Sequence, residues 1–131
     1  MSVDSVYTHK AWEEHELSEL IESGMPWPML SDMGGNVGRA YGMFDADTGK
    51  EVRGYFLIDP DGLVQASSAI MSDIGHDVLE IIRQIEAIQH SFKTGEATPE
   101  GWQPGMATLQ PGVDLVGKVH TVWKREKKNA E

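Results

Sequence analysis

The chain has 131 residues, of which 40% are apolar and 24% charged, and its formal net charge is −10. This length and composition fit one soluble globular domain that buries roughly two-thirds of its unfolded surface. The negative charge argues against nucleic-acid binding, because a phosphate backbone demands a basic surface. No run of eighteen apolar residues and no secretory signal are present, so we expect a cytoplasmic protein that does not span a membrane. The absence of cysteine excludes disulfide bonds and thiolate metal ligands.

The first part of the chain predicts a helix followed by a short strand. Asp4 or Ser5 can cap a helix that covers residues 7–22, because both side chains accept hydrogen bonds from free amides of a first turn. One glycine and two prolines in residues 24–28 end this helix. A short strand is expected near residues 27–30.

The middle of the chain predicts a β-hairpin. Residues 36–43 indicate a short helical turn, and residues 45–50 a polar turn. Residues 52–58 are rich in aromatic and branched side chains, and a second strand is expected over residues 63–66. The sequence Asp59-Pro60-Asp61-Gly62 between them favours a tight turn, because proline presets φ and glycine accepts a positive φ.

A long helix is the strongest single prediction from the pattern. Asp77, with Glu80 three residues later, is typical of a helix start. Apolar residues then recur at helical spacing and predict a core-facing stripe, formed by Val78, Ile81, Ile82, Ile85, Ile88 and Phe92. Beyond Thr94 the chain is rich in Pro and Gly. We therefore interpret residues 1–94 as the domain portion and residues 95–131 as an extended arm, in which residues 113–123 form a short ordered piece.

No independent catalytic or metal-binding motif is visible. The histidines form no pair at i,i+4 and no HExxH motif, so we expect surface or packing roles for His9, His15, His76, His90 and His120. Ser5, Ser31 and Thr98 lack the neighbours of a Ser-His-Asp arrangement. The pair Gly34-Gly35 lies outside any GxxxxGK[ST] pattern, so we do not expect it to bind phosphate. We therefore expect no metal and no cofactor.

Four segments in chain order resemble the peroxiredoxins of the alkyl hydroperoxide reductase C / thiol-specific antioxidant group. They are Ser2-Val3-Asp4-Ser5 with Thr8-His9 and Ala11-Trp12, Pro28-Met29-Leu30-Ser31-Asp32 with Arg39-Ala40-Tyr41-Gly42, Val52 to Gly62, and Gly95-Glu96-Ala97-Thr98-Pro99 with Gly101-Trp102-Gln103-Pro104-Gly105. The resemblance implies an α/β, thioredoxin-like fold of the peroxiredoxin type that is incomplete at its N-terminal side. It also implies reduction of hydrogen peroxide and organic hydroperoxides with electrons from a thioredoxin-type donor.

The resemblance places few of the family's catalytic groups in this chain. The family's peroxidatic cysteine lies upstream, in a Pro-Thr-Cys motif, and its resolving cysteine would fall at Thr98. Arg53 matches the family's active-site arginine, which favours the thiolate. The alternative for Arg53 is a strand-end arginine paired with Glu51 or another carboxylate. A second family arginine would fall at His76.

A domain without its central strands would leave backbone groups unpaired and the apolar stripe of the long helix only half covered, which favours association. Three explanations follow. In the first, the chain is the downstream part of a longer reading frame with a cysteine or selenocysteine upstream. In the second, a separate chain supplies the N-terminal half. In the third, a homodimer exchanges elements and serves as a non-catalytic interaction or chaperone-like module. We expect the chain alone to lack thiol peroxidase activity and to form at least a dimer. Trp102 is expected to pack either on a neighbouring subunit or within its own chain.

Overall fold

A computed structural model describes residues 1–124 of the chain, and these residues fall into two units. The first unit is Met1–Ile74, and the second begins at Gly75. The four named strands lie between residues 44 and 69, and helices occur in both units. This mixture agrees with the predicted α/β class, whereas the proposed division at residue 94 stays a prediction.

The first unit begins with the predicted helix, which has a π-helical middle. Helix α1, Val6–Trp12, starts at Ser5, whose hydroxyl accepts a hydrogen bond from the Thr8 amide at 3.2 Å. The helix continues through a π-helical segment, Glu13–Leu17, and a short α2, Ser18–Leu20. The prediction over residues 7–22 is confirmed in position, although the helix ends two residues earlier.

The strand predicted near residues 27–30 does not form, so that prediction was wrong. An isolated parallel bridge joins Ser2 to Ser31 instead. The Ser2 amide donates to the Leu30 carbonyl at 3.1 Å, and the Asp32 amide donates to the Ser2 carbonyl at 2.8 Å. A strand needs hydrogen-bond partners along its length. Both of these hydrogen bonds involve Ser2 alone, so no strand forms.

A short helix and two hairpins complete the first unit. Helix α3, Asn36–Ala40, begins where the sequence predicted and ends three residues earlier. A two-residue hairpin of β1, Phe44–Asp45, and β2, Lys50–Glu51, frames the predicted polar turn. The main hairpin pairs β3, Gly54–Ile58, with β4, Val64–Ala69.

The main hairpin is confirmed, and β4 runs three residues beyond its predicted end at residue 66. The Asp59 carboxylate closes the turn, because it accepts hydrogen bonds from the Asp61 amide at 3.0 Å and the Leu63 amide at 2.9 Å. The aspartate side chain here accepts amide hydrogen bonds in the way that a backbone carbonyl does in a turn.

The second unit contains the predicted long helix. Helix α4, Val78–Thr94, begins at Asp77, whose carboxylate accepts hydrogen bonds from the amides of Leu79 and Glu80. The helix ends at Gly95, which has a φ of 73° that favours glycine. A 3₁₀ turn, Val113–Leu115, and a short α5, Val119–Val122, follow within the predicted ordered piece. None of the helices among residues 1–124 is long and apolar enough to cross a membrane.

The apolar stripe of α4 is only partly covered, as expected for a domain without its central strands and not as expected from its spacing alone. Val78 is 63% exposed and Phe92 62%, and Ile82 and Ile85 are also exposed. The buried residue of the helix is Ala87. Spacing placed these side chains on one face correctly, but whether a face is covered depends on what packs against it.

Trp102 anchors the segment after α4 within its own unit. Its side chain is 2% exposed, and its indole N–H donates to the Met106 carbonyl at 3.1 Å. The ring lies 4.8 Å from the His90 ring between centroids, and the Arg83 guanidinium donates to the Trp102 carbonyl at 3.2 Å. These contacts decide between the two roles expected for Trp102 in favour of packing within its own chain.

We expect Trp102→Ala to destabilise the second unit by about 3–5 kcal/mol, because it removes a large buried ring and leaves a cavity. Denaturant unfolding followed by circular dichroism measures this loss. The matched control is Trp27→Ala, since Trp27 is 64% exposed. Equal losses for the two variants would contradict the anchoring role.

Candidate functional site

Arg53 lies directly before β3, not inside it. Its carbonyl accepts a hydrogen bond from the Ile70 amide at 2.9 Å, which extends the β3–β4 ladder by one rung. Its side chain is exposed, and no ion pair of its guanidinium is found among residues 1–124. The alternative of a structural pair with Glu51 therefore finds no support, and the guanidinium is open to solvent.

Asp32 is a buried carboxylate that organises the turn before α3. It accepts hydrogen bonds from the Gly38 amide at 2.8 Å and the Asn36 amide at 3.0 Å, and it is 7% exposed. These amide hydrogen bonds, that of Gly38 foremost, hold the pKa of Asp32 below its usual range. Asp32 is therefore a charged group over the neutral pH range.

Glu51, at the end of β2, faces this buried carboxylate. Both of its carboxyl oxygens are shielded from solvent and lack a hydrogen-bond partner among the described residues. Burial raises the pKa of Glu51, and the negative charge of Asp32 raises this pKa further. A protonated Glu51 can donate a hydrogen bond to Asp32, so the two groups can share one proton as acid and carboxylate.

Gly38 makes room for this acid pair. A Cβ atom at residue 38 would lie 3.2 Å from Glu51 Cγ and 3.3 Å from the Phe44 Cβ. Sequence analysis missed the pair. The one local signal is the aspartate at residue 32, four residues before the start of α3, whereas no local pattern places Glu51, since its burial depends on residues far away in sequence.

A cavity of about 440 Å³ lies in the first unit next to Glu51. Its lining is mainly aliphatic and aromatic and includes Met1, Leu30, Val37, Tyr41, Phe56 and Ile58. The Tyr41 and Phe56 rings meet edge to face with centroids 4.7 Å apart. The cavity therefore touches the segment around the Ser2–Ser31 bridge and also strand β3.

In the second unit, Glu96 holds the segment after α4 in place. Its carboxylate lies 3.0 Å from His90 Nε2, accepts the Thr108 hydroxyl at 2.6 Å, and also accepts the Gln110 amide. The hydrogen bond from Thr108, followed by that from His90, lowers the pKa of Glu96. We call this set of four side chains the Glu96 clasp.

Thr98 lies two residues beyond Glu96 and is half-buried. Its neighbour Ala97 exchanges two backbone hydrogen bonds with Leu109, at 2.8 and 2.9 Å. Thr98 is therefore held beside a closed bridge. His76, where the resemblance would place a second arginine, lies directly before the Asp77 cap and is also half-buried. Among residues 1–124, no group of three or more His, Asp or Glu could hold a metal ion.

Comparison with known families gives two matches in different parts of the chain. Residues 1–67 match the AhpC/TSA family, and residues 87–125 match the C-terminal domain of 1-Cys peroxiredoxin. The chain belongs to the AhpC/TSA family. The predicted peroxiredoxin resemblance is thereby confirmed.

Curated relatives and solved structures agree with this assignment. The chain is 50% identical over 125 residues to the selenocysteine-containing peroxiredoxin PrxU of Peptoclostridium acidaminophilum, covering 94% of this chain and 62% of PrxU. It is 42% identical over 120 residues to alkyl hydroperoxide reductase C of Staphylococcus aureus, covering 91% of this chain and 62% of that relative. The chain thus spans about three-fifths of these relatives' length.

The structure resembles solved peroxiredoxins, which confirms the thioredoxin-like fold class. A reduced 2-Cys peroxiredoxin of Plasmodium vivax matches with a TM-score of 0.75 at 36% identity, over 82% of this chain and 55% of that one. A peroxiredoxin 6 of Arenicola marina matches with a TM-score of 0.77 at 33% identity, over 86% and 55%. This peroxiredoxin portion is incomplete relative to those chains, as the sequence predicted.

We expect Glu51→Gln to stabilise the first unit increasingly as the pH rises. The folded chain holds the Glu51 proton more tightly than the unfolded chain, whose carboxyl has an ordinary pKa of 4.5. The parent therefore loses stability as the pH rises from about this value through the raised folded pKa, whereas the neutral amide does not.

Chemical denaturation at several pH values measures the difference between variant and parent. The exposed Glu22→Gln is the control, because Glu22 lies outside the acid pair. A stability difference between Glu51→Gln and the parent that does not change with pH would contradict the shared proton.

We expect the Glu96 clasp to open on acidification. The lowered pKa of Glu96 means that its stabilising effect is present above the ordinary pKa of 4.5 and is lost as the pH falls through the folded pKa. Hydrogen exchange of the Ala97 and Leu109 amides, corrected for intrinsic rates, should accelerate several-fold over that range.

Glu96→Gln should accelerate the same exchange at neutral pH and remove its acid dependence. Glu86→Gln on the exposed side of α4 is the matched control and should leave the two amides unchanged. Unaltered protection in Glu96→Gln would show that the bridge does not depend on the clasp.

Proposed function

We propose that this chain is the portion of a peroxiredoxin-type peroxidase that carries the active-site arginine, Arg53, and the C-terminal arm. A preceding segment of the longer protein, or a separate chain, supplies the reactive cysteine or selenocysteine. The observation that carries this proposal is the match of both family regions to a chain without any cysteine. The 50% identity to a selenocysteine-containing peroxiredoxin supports it further.

The chemistry needs a thiolate or selenolate as nucleophile. The nucleophile attacks one oxygen of a hydroperoxide, so that a sulfur–oxygen or selenium–oxygen bond forms and the O–O bond breaks. The leaving alkoxide or hydroxide takes up a proton, and the nucleophile becomes a sulfenic or selenenic acid. Two electrons from thiols then restore it and release water.

Arg53 is the residue of this chain that we assign to the reacting centre. Its guanidinium is permanently charged, solvent-exposed and without an ion-pair partner among the described residues. A cation near a thiol lowers the thiol pKa and so raises the fraction present as nucleophile. The exposure of Arg53 leaves its guanidinium available to a nucleophile that another segment supplies.

Thr98 occupies the position of a resolving cysteine. A threonine hydroxyl cannot form a disulfide, so an oxidised nucleophile in this protein requires an external thiol for its reduction. We assign that step to a thioredoxin-type donor. We also propose a cytoplasmic location and a homo-oligomer of at least two copies, in which open strand edges are covered.

We expect no hydrogen peroxide consumption by the 131-residue chain with dithiothreitol, and clear turnover by a chimera. The chimera joins the N-terminal third of PrxU, with cysteine in place of selenocysteine, to this chain at the aligned position. Within the chimera, Arg53→Ala should lower kcat/KM about 10²-fold, because it removes a charge that stabilises developing negative charge. Lys50→Ala is the control, since Lys50 is an exposed cation three residues away.

Other outcomes separate the two functions considered. A folded chimera that forms the thiolate but consumes no peroxide would favour the non-catalytic interaction module. Equal activity of the Arg53→Ala and Lys50→Ala variants would remove Arg53 from the site while leaving the peroxidase intact. Turnover by the isolated 131-residue chain would overturn the proposal, because this chain has no thiol.

A further inference from the structure

Met106 carries the only sulfur atom of the second unit. Residues 75–131 contain no cysteine and no other methionine. The Met106 side chain is 52% exposed, so a small oxidant in solution can reach it. A methionine thioether reacts with peroxides without first losing a proton, and the resulting sulfoxide is reversible because dedicated reductases remove its oxygen. Met106 is therefore a candidate for chemical modification, and its contacts decide what such a modification does.

Met106 also closes the turn that follows Trp102. Its amide donates a hydrogen bond to the Gln103 carbonyl at 3.0 Å, and its carbonyl accepts the Trp102 indole N–H at 3.1 Å. Its sulfur accepts a third hydrogen bond, from the Gln103 amide, with 3.3 Å between nitrogen and Sδ. A thioether is a weak acceptor, so this third bond is the one most sensitive to a change at the sulfur. We call residues 102–106, with these three hydrogen bonds, the Trp102 turn.

The Trp102 turn supports the packing of the second unit. The Trp102 side chain is 2% exposed, and its ring lies 4.8 Å from the His90 ring between centroids. His90 Nε2 in turn lies 3.0 Å from the Glu96 carboxylate. Contacts therefore run without interruption from the exposed side chain of Met106, through a buried indole, to the Glu96 clasp.

We propose that Met106 is a site of reversible oxidation, at which a hydroperoxide converts the thioether to a sulfoxide and opens the Trp102 turn. The sulfur attacks the terminal oxygen of the hydroperoxide, so that an S–O bond forms and the O–O bond breaks. The sulfur loses two electrons and the peroxide gains them. The proton of the transferred hydroxyl passes to the leaving hydroxide or alkoxide, which departs as water or an alcohol. This inference goes beyond the proposed peroxidase function, since the reaction requires only the Met106 sulfur and a hydroperoxide.

Oxidation reverses the polarity of the sulfur in the Trp102 turn. A thioether sulfur offers a lone pair to the Gln103 amide, whereas a sulfoxide sulfur is partly positive and the negative end of the group is its oxygen. The Gln103 N–H therefore loses its attraction to the sulfur, and the oxygen can replace it as acceptor only after the Met106 side chain has rotated. Because the Met106 backbone bonds both Gln103 and Trp102, this movement weakens the whole turn.

The hydrogen bond to the sulfur also makes the oxidation stereoselective. A thioether sulfur has two lone pairs, and addition of oxygen to one or the other gives two epimers of the sulfoxide. One lone pair of Met106 is directed at the Gln103 amide, so the hydroperoxide meets the other. We expect one epimer in an excess of about 3:1 or more, which two methionine sulfoxide reductases measure because each reduces a single epimer.

Treatment of the 131-residue chain with hydrogen peroxide tests this inference. Peptide mass spectrometry gives the oxidation rate at each methionine, and NMR gives the hydrogen-exchange rate of the Trp102 indole N–H, which the Met106 carbonyl accepts. We expect this N–H to exchange roughly tenfold faster after oxidation. Subsequent treatment with both methionine sulfoxide reductases should restore the original exchange rate.

Two leucine variants form a matched pair, each compared before and after peroxide treatment. Met106→Leu retains an apolar side chain of similar volume but has no sulfur. Met71→Leu removes an exposed methionine of the first unit, whose side chain is 62% exposed. Peroxide should change the indole exchange by less than about twofold in Met106→Leu, and by roughly tenfold in Met71→Leu as in the parent.

Several results would overturn the inference. Oxidation of Met106 at least about tenfold more slowly than Met71 would show that its sulfur is not accessible. Equal yields of the two epimers would contradict the hydrogen bond to the sulfur. Unchanged indole exchange in the oxidised chain, or the same acceleration in Met106→Leu, would separate the turn from the thioether. Fast indole exchange in the untreated chain would show that the Trp102 turn is not closed to begin with.

Discussion

The dominant constraint on the first unit is the pairing of backbone hydrogen bonds. A strand in a sheet interior needs partners on both sides, and within residues 1–124 strand β3 has one. The Ser2–Ser31 bridge is likewise a fragment of a ladder, held by two hydrogen bonds. The cavity of about 440 Å³ lies beside both elements, since Leu30 and Phe56 line it.

The acid pair of Asp32 and Glu51 shows how one buried charge shapes its surroundings. Asp32 keeps its charge because backbone amides of the α3 turn bond it. That fixed charge, together with burial, raises the pKa of Glu51. Gly38 has no side chain to obstruct the approach of Glu51. The charge of Asp32 thus links the turn before α3 to the end of β2.

The second unit relies on side chains more than on regular structure. Trp102 and the Glu96 clasp fix the segment after α4. Among the described residues, this segment forms only one backbone bridge, between Ala97 and Leu109. Thr98 sits inside this fixed segment. In a peroxidase that draws its reducing electrons from an external thiol, the segment can stay closed, because no sulfur at residue 98 has to move to the nucleophile.

Sequence by itself determined the local elements of this protein and its family. The Asp77 cap, the Gly95 end of α4 and the Asp59–Gly62 turn were predictable because each depends on residues within four positions of one another. The four ordered segments were sufficient to identify the peroxiredoxin resemblance. The sequence placed Arg53 within the first strand of the hairpin, whereas the structure places it directly before β3, and its catalytic role is a proposal.

Tertiary structure alone decided which surfaces are covered. The stripe of α4 has the spacing of a core face, yet Val78 and Phe92 are exposed, because spacing does not supply a partner. The expected strand near residues 27–30 failed for the same reason. The acid pair, the Glu96 clasp and the cavity beside Glu51 bring together residues twelve or more positions apart, such as Glu96 with Thr108. Contacts of this kind depend on how elements meet in space, and no local pattern records them.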